Sequence, residues 1–550
     1  MKRSRTSTLV LGISMLLMGT CGICYEYVLG ALGNYLMGST QEQIYLIIGL
    51  MMFAMGMGAI IQKLLEQGLL EKFLLMEILF GLIGGISCTV IYLAHGYTRV
   101  HLPILWGFSF TIGLIIGLEI PLLIRVNKKY SASLKNNLSL ILSLDYVGSL
   151  FGALLFTYIL LKFFSLPKIS LILGFTNVAI ALMSLAYFRH EVKHFWGIFG
   201  TGCCVSILLS LFFFFSEPLQ RNIEQQFFRD PIVASITTRY QHITITAYRE
   251  QFALYINGHL QFSSTDEYIY HETLVHPAMM ISEKPKNVLV LGGGDGLALR
   301  EILKYPEVAR VDLVDIDPEI TLLARTHPTL VALNKNAFQN ARVVVYPHSA
   351  VKPLQKKQEI SIYNQNGLNP WDTERFPVGQ SVQLFHLDAD LFVQEVQTQK
   401  YDVIFLDFPD PQVIETAKLF SVEFYYHVRK LLKPQGIIAI QSGSPSMTQK
   451  VFACIGKTLQ SAGLDSLPYH VYVPSLGDWG FYLAWDAKRH PEEVPRRLFQ
   501  QSILVPTQYL NEGTIRASFC FGKDILLPWE EVKTNMKQEI VLPEYYRESR

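Results

Sequence analysis

The chain has 550 residues, a formal net charge of +1 and a hydrophobic share of 50%. That is too long for one ordinary domain, and it carries no bulk charge to draw a nucleic-acid partner. Mean hydropathy is +0.26, high for a soluble protein, and the apolar residues crowd into the first 215 positions.

Seven apolar runs precede residue 216, at about 8–36, 43–61, 74–95, 102–124, 136–161, 169–188 and 194–215. Most reach the roughly 20 residues that cross a bilayer, so an integral, multi-pass membrane domain is expected over 1–216. The first run is too long for a cleaved signal peptide and six more follow it. Gly113-xxx-Gly117 and Gly148-xxx-Gly152 provide small faces for close helix packing. Glu26, Glu119 and Asp145 fall inside these runs, where a carboxylate faces a bundle interior or a cation path. Cys21-x-x-Cys24 has redox spacing but lies in an apolar run, where small packing residues are the simpler reading. The seven cysteines have no disulfide-framework spacing.

Charge gives a conflict about sidedness. Lys2, Arg3 and Arg5 favour a cytoplasmic N-terminus, and the basic loop near Arg125, Lys128, Lys129 and Lys135 falls on the same side. Seven spans then place the remainder outside, whereas the ligand argued for below is cytosolic. The expectation is a cell-membrane protein whose soluble part faces the cytoplasm.

Residues 216–230 read as a polar juxtamembrane linker. From about 231 to 262 apolar and polar residues alternate, and Asn257-Gly258 sits between two alternating runs as a hairpin turn. Residues 266–280, DEYIYHETLVHPAMM, are helical in period with acidic residues at the start. Linker, small β-unit and helix together occupy 217–285.

Strand and helix then alternate over 286–490. Strands are expected near 287–291, 311–316, 401–407, 436–441 and 480–485. Either 342–346 or 382–387 supplies one more, with the second preferred. That rhythm predicts a Rossmann-like, doubly wound, mostly parallel sheet. Ligands bind such sheets beyond the carboxyl ends of the strands. Those ends are Gly292 to Gly296, Asp315, Asp388, Asp407 with Asp410, and Gln441, so carboxylates dominate. Residues 347–381 read as an insertion or long surface loop. The extension 491–550 carries no chemical motif.

The glycine loop discriminates between ligands. Gly292, Gly293, Gly294 and Gly296 let backbone approach a ligand closely, but a dinucleotide fingerprint fails because positions 297 and 299 are leucines. Asp295 would repel a pyrophosphate, so the loop suits a nucleoside with a cationic tail, such as S-adenosylmethionine and its relatives. Asp315 ends the second strand with the geometry to accept from ribose hydroxyls, while Asp317 points to the other face. Asp388 follows a strand on the adenine side. Asp407 and Asp410 complete a cluster of like charges that needs a cation. A metal would answer that need, but the histidine spacing of a zinc site is missing; a di-ammonium substrate is the other natural partner.

GGGDG, the VDID strand, DA, YDVIFLDFPDP and YHETLVHP resemble, in order, the polyamine aminopropyltransferases, chiefly spermidine synthase, over about 231–490. The apolar N-terminal half looks like the membrane-bound branch of that family. The resemblance implies transfer of the aminopropyl group of decarboxylated S-adenosylmethionine to a diamine such as putrescine, with no metal or redox cofactor, and a homo-oligomer. It implies that Asp295 and Asp407 hold the aminopropyl ammonium. Asp407 also orients and deprotonates the attacking amine, with Tyr270. Asp410 lies near the distal diamine nitrogen. Asp315 stands where the family has a ribose-binding Glu, Asp388 where it has an adenine-side Asp. Gln241 and His271 match nucleoside-contacting positions, and Gln441 the glutamine after the fifth strand. Phe408 and Pro409 replace small hydroxyl residues, and Val473 a tyrosine next to Tyr472, so the acceptor stays open. A methyltransferase on the same sheet, or a membrane transporter or sensor with a non-catalytic binding domain, are the alternatives.

Overall fold

The computed structural model describes residues 2–37, 41–98, 100–130, 133–238, 240–282, 284–340, 342–346, 381–396, 399–490 and 492–549. The chain forms two compact units, residues 1–232 and 233–550.

The first unit is helical: α1 (Lys2–Met37), α2 (Gln41–Ile61), α3 (Leu69–Tyr97), α4 (His101–Asn127), α5 (Leu134–Leu155), α6 (Leu166–Tyr187) and α7 (Phe195–Gln225). Seven helices among the described residues are long and apolar enough to cross a membrane. Helix α5 runs on through a π-helical turn, Phe156–Leu160. The two glycine pairs lie where their spacing predicts. Gly148 and Gly152 sit on the backbone of α1 at Leu16 and Thr20, and Gly113 and Gly117 on that of α2 at Met51 and Met55. A side chain at any of these positions would push the helices apart.

Two expectations need correction here. Residues 216–225 belong to α7 rather than to a linker. Leu219 and Ile223 keep helical spacing, and Ile223 is buried against Gly96. The apolar runs also carry a fourth acid, Glu77 of α3, which is fully buried, as is Glu119. Glu26 and Asp145 are only half-buried. Cys21 and Cys24 are buried and unbridged, in keeping with packing residues.

The second unit opens with an antiparallel sheet in the order β1 (Ile232–Thr237), β2 (His242–Tyr248), β3 (Gln251–Ile256), β4 (His259–Ser263). Its β3–β4 turn is Asn257-Gly258, both with positive φ, +50° and +80°. Helix α8 (Glu267–Ile281) follows. The main sheet contains β5 (Asn287–Gly292), β6 (Arg310–Asp315), β7 (Arg342–Tyr346), β8 (Ser381–His386), β9 (Tyr401–Asp407), β10 (Leu432–Gln441), β11 (Leu464–Val473) and β12 (Gly477–Asp486). Their order is β11-β12-β10-β9-β5-β6-β8-β7. Strands β7 through β10 pair in parallel, and β12 and β11 are antiparallel.

The two segments that compete in sequence for one place in the sheet are both strands. β8 lies beside β6, and β7 lies beyond it at the edge. Strand β11 escapes the sequence pattern because Pro468 interrupts it. As the other edge strand it has no outer ladder for the missing N–H to break. The insertion expected at 347–381 lies, apart from Ser381, outside the described residues.

Central strands are buried on both faces, which is why β5 and most of β9 read as apolar runs; β6 also buries Asp312, which accepts from Arg310 and the Tyr401 hydroxyl. Val288, Val290, Val311 and Leu313 face α8 and α9 (Leu297–Ile302). Leu289, Leu291, Ile404 and Leu406 face α11 (Ala389–Glu395), α12 (Val422–Leu431) and α13 (Gln449–Ser461). Helix α10 (Pro318–Thr326) connects β6 onward.

The segment after β12 is clipped to this core by polar groups. Glu272, 1% exposed, accepts from the N–H groups of Gln508, Tyr509 and Leu510 at 2.6–3.0 Å. Asn535 donates to the carbonyls of Ala417 and Phe420. Helix α15 (Leu542–Glu548) then lies on the core, with Leu542 and Tyr546 buried. (Helix α14 is Glu493–Gln500.) Replacing Glu272 with Ala strands three backbone donors, so unfolding free energy should drop by about 2–4 kcal/mol. Denaturant titration of the purified protein measures it, and an unchanged midpoint would refute this role for the carboxylate.

Candidate active site

The site is built where β5, β6, β8, β9 and β10 end. Strand β5 stops at Gly292, whose φ is +85° and where an added Cβ would strike the carbonyl of Asp407. The next residue, Gly293, donates its N–H to that same carbonyl at 3.1 Å. At Gly294 a Cβ would collide with the Asp315 carboxylate. The glycine loop is therefore wedged between the ends of β9 and β6.

Asp295 projects from that loop, and its Oδ1 accepts from Leu297 N–H at 2.9 Å, starting α9. Asp407 ends β9 opposite it, and Tyr270 of α8 donates its hydroxyl to Asp407 Oδ1 at 2.7 Å. Burial and the nearby carboxylates hold the Tyr270 phenol protonated, so it stays a donor. His271 is 3% exposed, and its Nδ1 lies 2.8 Å from Glu267 Oε2. Burial alone would lower its pKa. Glu267 outweighs that, with Asp295 and Asp407 adding to it, and raises the pKa to about 9. Arg300 holds Glu267 from behind at 2.6 and 3.0 Å. A buried imidazolium thus faces the two carboxylates.

Those carboxylates are still under strain of charge. Burial raises Asp295 to about 6; His271 pulls it down and Asp407 pushes it up. Burial likewise raises Asp407, against the pull of His271 and Tyr270. Asp410, two residues past Phe408, is raised to about 6 by burial, with Tyr546, Gln441 and Gln412 pulling it down. Gln441 itself is buried. Its amide donates to Phe408 O at 2.5 Å and its Oε1 accepts from Gly443 N–H at 3.2 Å, so it fixes the loop that carries Asp407 and Asp410.

At the end of β6, Asp315 accepts from Gly294 N–H at 3.0 Å and from Asp317 N–H at 2.9 Å. Burial raises it to about 7. Asp317 is fully buried and caps α10; it differs from Asp315 because it lies beyond the end of β6, not because it takes the other face, since residues two apart in a strand share one. It also accepts from Thr238 at 2.8 Å, and Thr238 closes the turn ending at Gln241. That bond ties the small sheet, and Gln241 with it, to the end of β6. Asp388 caps α11, and its Oδ2 lies 2.7 Å from Lys418 Nζ.

Sequence missed three features of this region. Phe408 turns away from the carboxylates into the core, against Phe420 and Phe424. Tyr472 is 67% exposed while Val473 is buried, so Tyr472 offers no inward ring. Trp479 and Phe481 of β12 instead flank Tyr270, with ring centroids at 6.3 and 5.3 Å. The third is Tyr546 of α15, whose hydroxyl stands beside Asp410 and over Gly443. No motif flags it, because it reaches the site from 136 residues beyond Asp410 by tertiary packing.

Glu272, His276 and Glu301 also bring possible metal-ligand atoms within 4.8 Å of one another. These atoms are already engaged. Glu272 holds backbone, His276 bonds Tyr305 and Glu301, and Arg300 and Lys304 pair with Glu301. The group is a structural one.

A glycine loop among acids at the mouth of a doubly wound sheet makes a binding site suited to a cationic ligand. The family profile for the spermine/spermidine synthase domain matches residues 267–366 and 374–496. A polyamine aminopropyltransferase of Leptospira interrogans is 38% identical, covering 86% of each chain. Polyamine aminopropyltransferase 2 of Ralstonia nicotianae is 35% identical over 98% of each. Among solved structures, spermidine synthase from Thermotoga maritima covers 53% of this chain and 84% of its own, at TM-score 0.40 and 22% identity. The chain belongs to the polyamine aminopropyltransferase family and is a transferase. That family's co-substrate is decarboxylated S-adenosylmethionine.

The raised acids give a pH signature. Asp295 and Asp410 sit near 6 and Asp315 near 7 when the site is empty, above the ordinary carboxylate range. Their protonated forms favour the fold, so this stability is complete below about pH 4 and lost as pH rises through 6–7. A bound aminopropyl ammonium favours the ionised form of Asp295 instead. Binding of decarboxylated S-adenosylmethionine at about pH 6 should therefore release protons, read as a buffer-dependent calorimetric enthalpy. Release should fade by about pH 8 and be much smaller for methylthioadenosine, which lacks the ammonium. Equal proton release by both ligands would contradict the assignment of Asp295.

Proposed function

We propose that the chain transfers the aminopropyl group to a diamine, with putrescine the first candidate, giving spermidine and methylthioadenosine. The observation that carries the reading is Asp407, hydrogen-bonded to Tyr270 and abutting the glycine loop that bears Asp295. Asp295 and Asp407 hold the aminopropyl ammonium. Asp315, with Gln241, His271 and Asp388, receives the nucleoside. Asp410 takes the far ammonium of the diamine.

The reaction is a displacement at carbon. The neutral amine nitrogen forms the new C–N bond, the C–S bond breaks, and its electron pair returns to sulfur, turning the sulfonium into a thioether. The amine is mostly protonated near pH 7, so a base must take a proton. Asp407 is raised toward neutrality by burial, which suits a base, and Tyr270 fixes its orientation. The acidic mouth also reduces the repulsion between two cationic substrates as they are brought together. Asp407→Asn should cut kcat by about 100- to 10,000-fold while methylthioadenosine affinity stays within a few-fold. Mass spectrometry of products across a panel of diamines checks the acceptor. No methylthioadenosine with any of them would overturn the reading.

We also propose that α1–α7 span the cell membrane, on the strength of their length and apolarity, and that the catalytic unit faces the cytosol, where its nucleoside is made. Seven crossings put the N-terminus on the opposite side, against the basic bias of the α4–α5 loop. Protease added to intact cells should leave residues 233–550 protected and cut them only after lysis. Cleavage in intact cells would reverse the orientation.

A further inference from the structure

Most buried polar groups inside the helical unit are paired. Ser14 meets Ser184 at 3.1 Å, and Asn127 donates to Asn137 at 2.8 Å. Among the described residues unpartnered atoms also occur at Thr89 and Trp106, but one cluster gathers several of them around two acids. Tyr25 of α1, Glu77 of α3, Glu119 of α4 and Asn177 of α6 are each 0–1% exposed. Glu77, Gly81 and Gly84 share one face of α3 at helical spacing. Asn177 Cβ lies 3.3 Å from where a Cβ on Gly81 would stand, and the Tyr25 hydroxyl 2.7 Å from one on Gly84. Both side chains therefore lie over the strip that carries Glu77. Glu119 is close enough to Glu77, and Glu77 to Tyr25, for their charges to interact.

Within this cluster both oxygens of Glu77 and Oε1 of Glu119 lack a hydrogen-bond partner, and the Tyr25 hydroxyl and the Asn177 amide have only each other, outside normal hydrogen-bond geometry. A buried carboxylate without a donor costs several kcal/mol or more, and a merely structural acid is paired. Acceptors outnumber donors here, and the rings of Tyr25 and Phe80 stand together at 5.1 Å. Two acids, an amide and aromatic faces match one chemistry: a positive head with several N–H donors on a hydrocarbon chain.

We propose that the helical unit holds a second amine site, in which a protonated primary amine sits between Glu77 and Glu119 with Asn177 and Tyr25 completing its hydrogen bonds. The site shares no residue with the transfer centre. It gives the helices a ligand of their own rather than a purely anchoring role.

The test is equilibrium binding of radiolabelled putrescine to the detergent-purified full chain, with aminopropyl transfer assayed in parallel. The wild type should bind two equivalents. Glu77→Gln and Glu119→Gln should each bind one, with the transfer rate unchanged. Asp407→Asn should keep the helical equivalent, which separates failure of this site from failure of the catalytic reading. Asn177→Ala, which leaves both acids in place, should weaken the second equivalent by about tenfold, the loss of one or two hydrogen bonds. One equivalent in the wild type, as when the glutamates simply carry protons, overturns the proposal. So does a second equivalent that persists in both glutamine variants.

Discussion

Everything at the mouth of the sheet depends on how Asp407 is held. Its carbonyl receives Gly293 N–H, its carboxylate receives the Tyr270 hydroxyl, and the loop that follows it is pinned by Gln441. Three elements distant in sequence thus meet at one residue. Without the glycines, β5 could not close on β9, and Asp295 would not come to stand opposite Asp407. The electrostatic cost of collecting these acids is met in part by the protonated His271, itself held by Glu267 and Arg300. The remaining imbalance is what a cationic substrate relieves. Affinity for cations is in this sense a property of the fold's unfavourable charge rather than of any single contact.

The strand ends were legible in sequence because physics restricts them strongly. A buried parallel strand is mostly apolar, so the carboxylate that closes such a run marks its end, as at Asp315, Asp388 and Asp407, while a carboxylate inside one, such as Asp312, needs its own buried partners. Hairpin chemistry at Asn257-Gly258 was legible for the same reason: two successive positive φ angles admit few residues. Strand β11 was hidden because an edge strand tolerates Pro468 and loses the pattern that central strands keep. Choosing between β7 and β8 was a false choice, since a sheet has room for both.

Side-chain direction was not legible. In sequence Phe408 stands between Asp407 and Asp410, where small hydroxyl residues are expected. In the fold it points into the core, so the departure from the family's small hydroxyl residues changes packing behind the site rather than its lining. Glu77 was passed over inside an apolar run, and only its complete burial beside Glu119 sets it apart. Both cases turn on which way a residue faces, which periodicity fixes poorly in short loops and in helices apolar all round.

The placement of Tyr546 has a consequence for biogenesis. Asp410 is in place once the sheet has formed, but the phenol beside it belongs to α15. A nascent chain can therefore form the sheet and the loop that carries Asp410 before residues beyond 540 have emerged. The Asp410 end of the mouth is finished only when α15 docks. The end at Asp295 and Asp315 does not wait for that step.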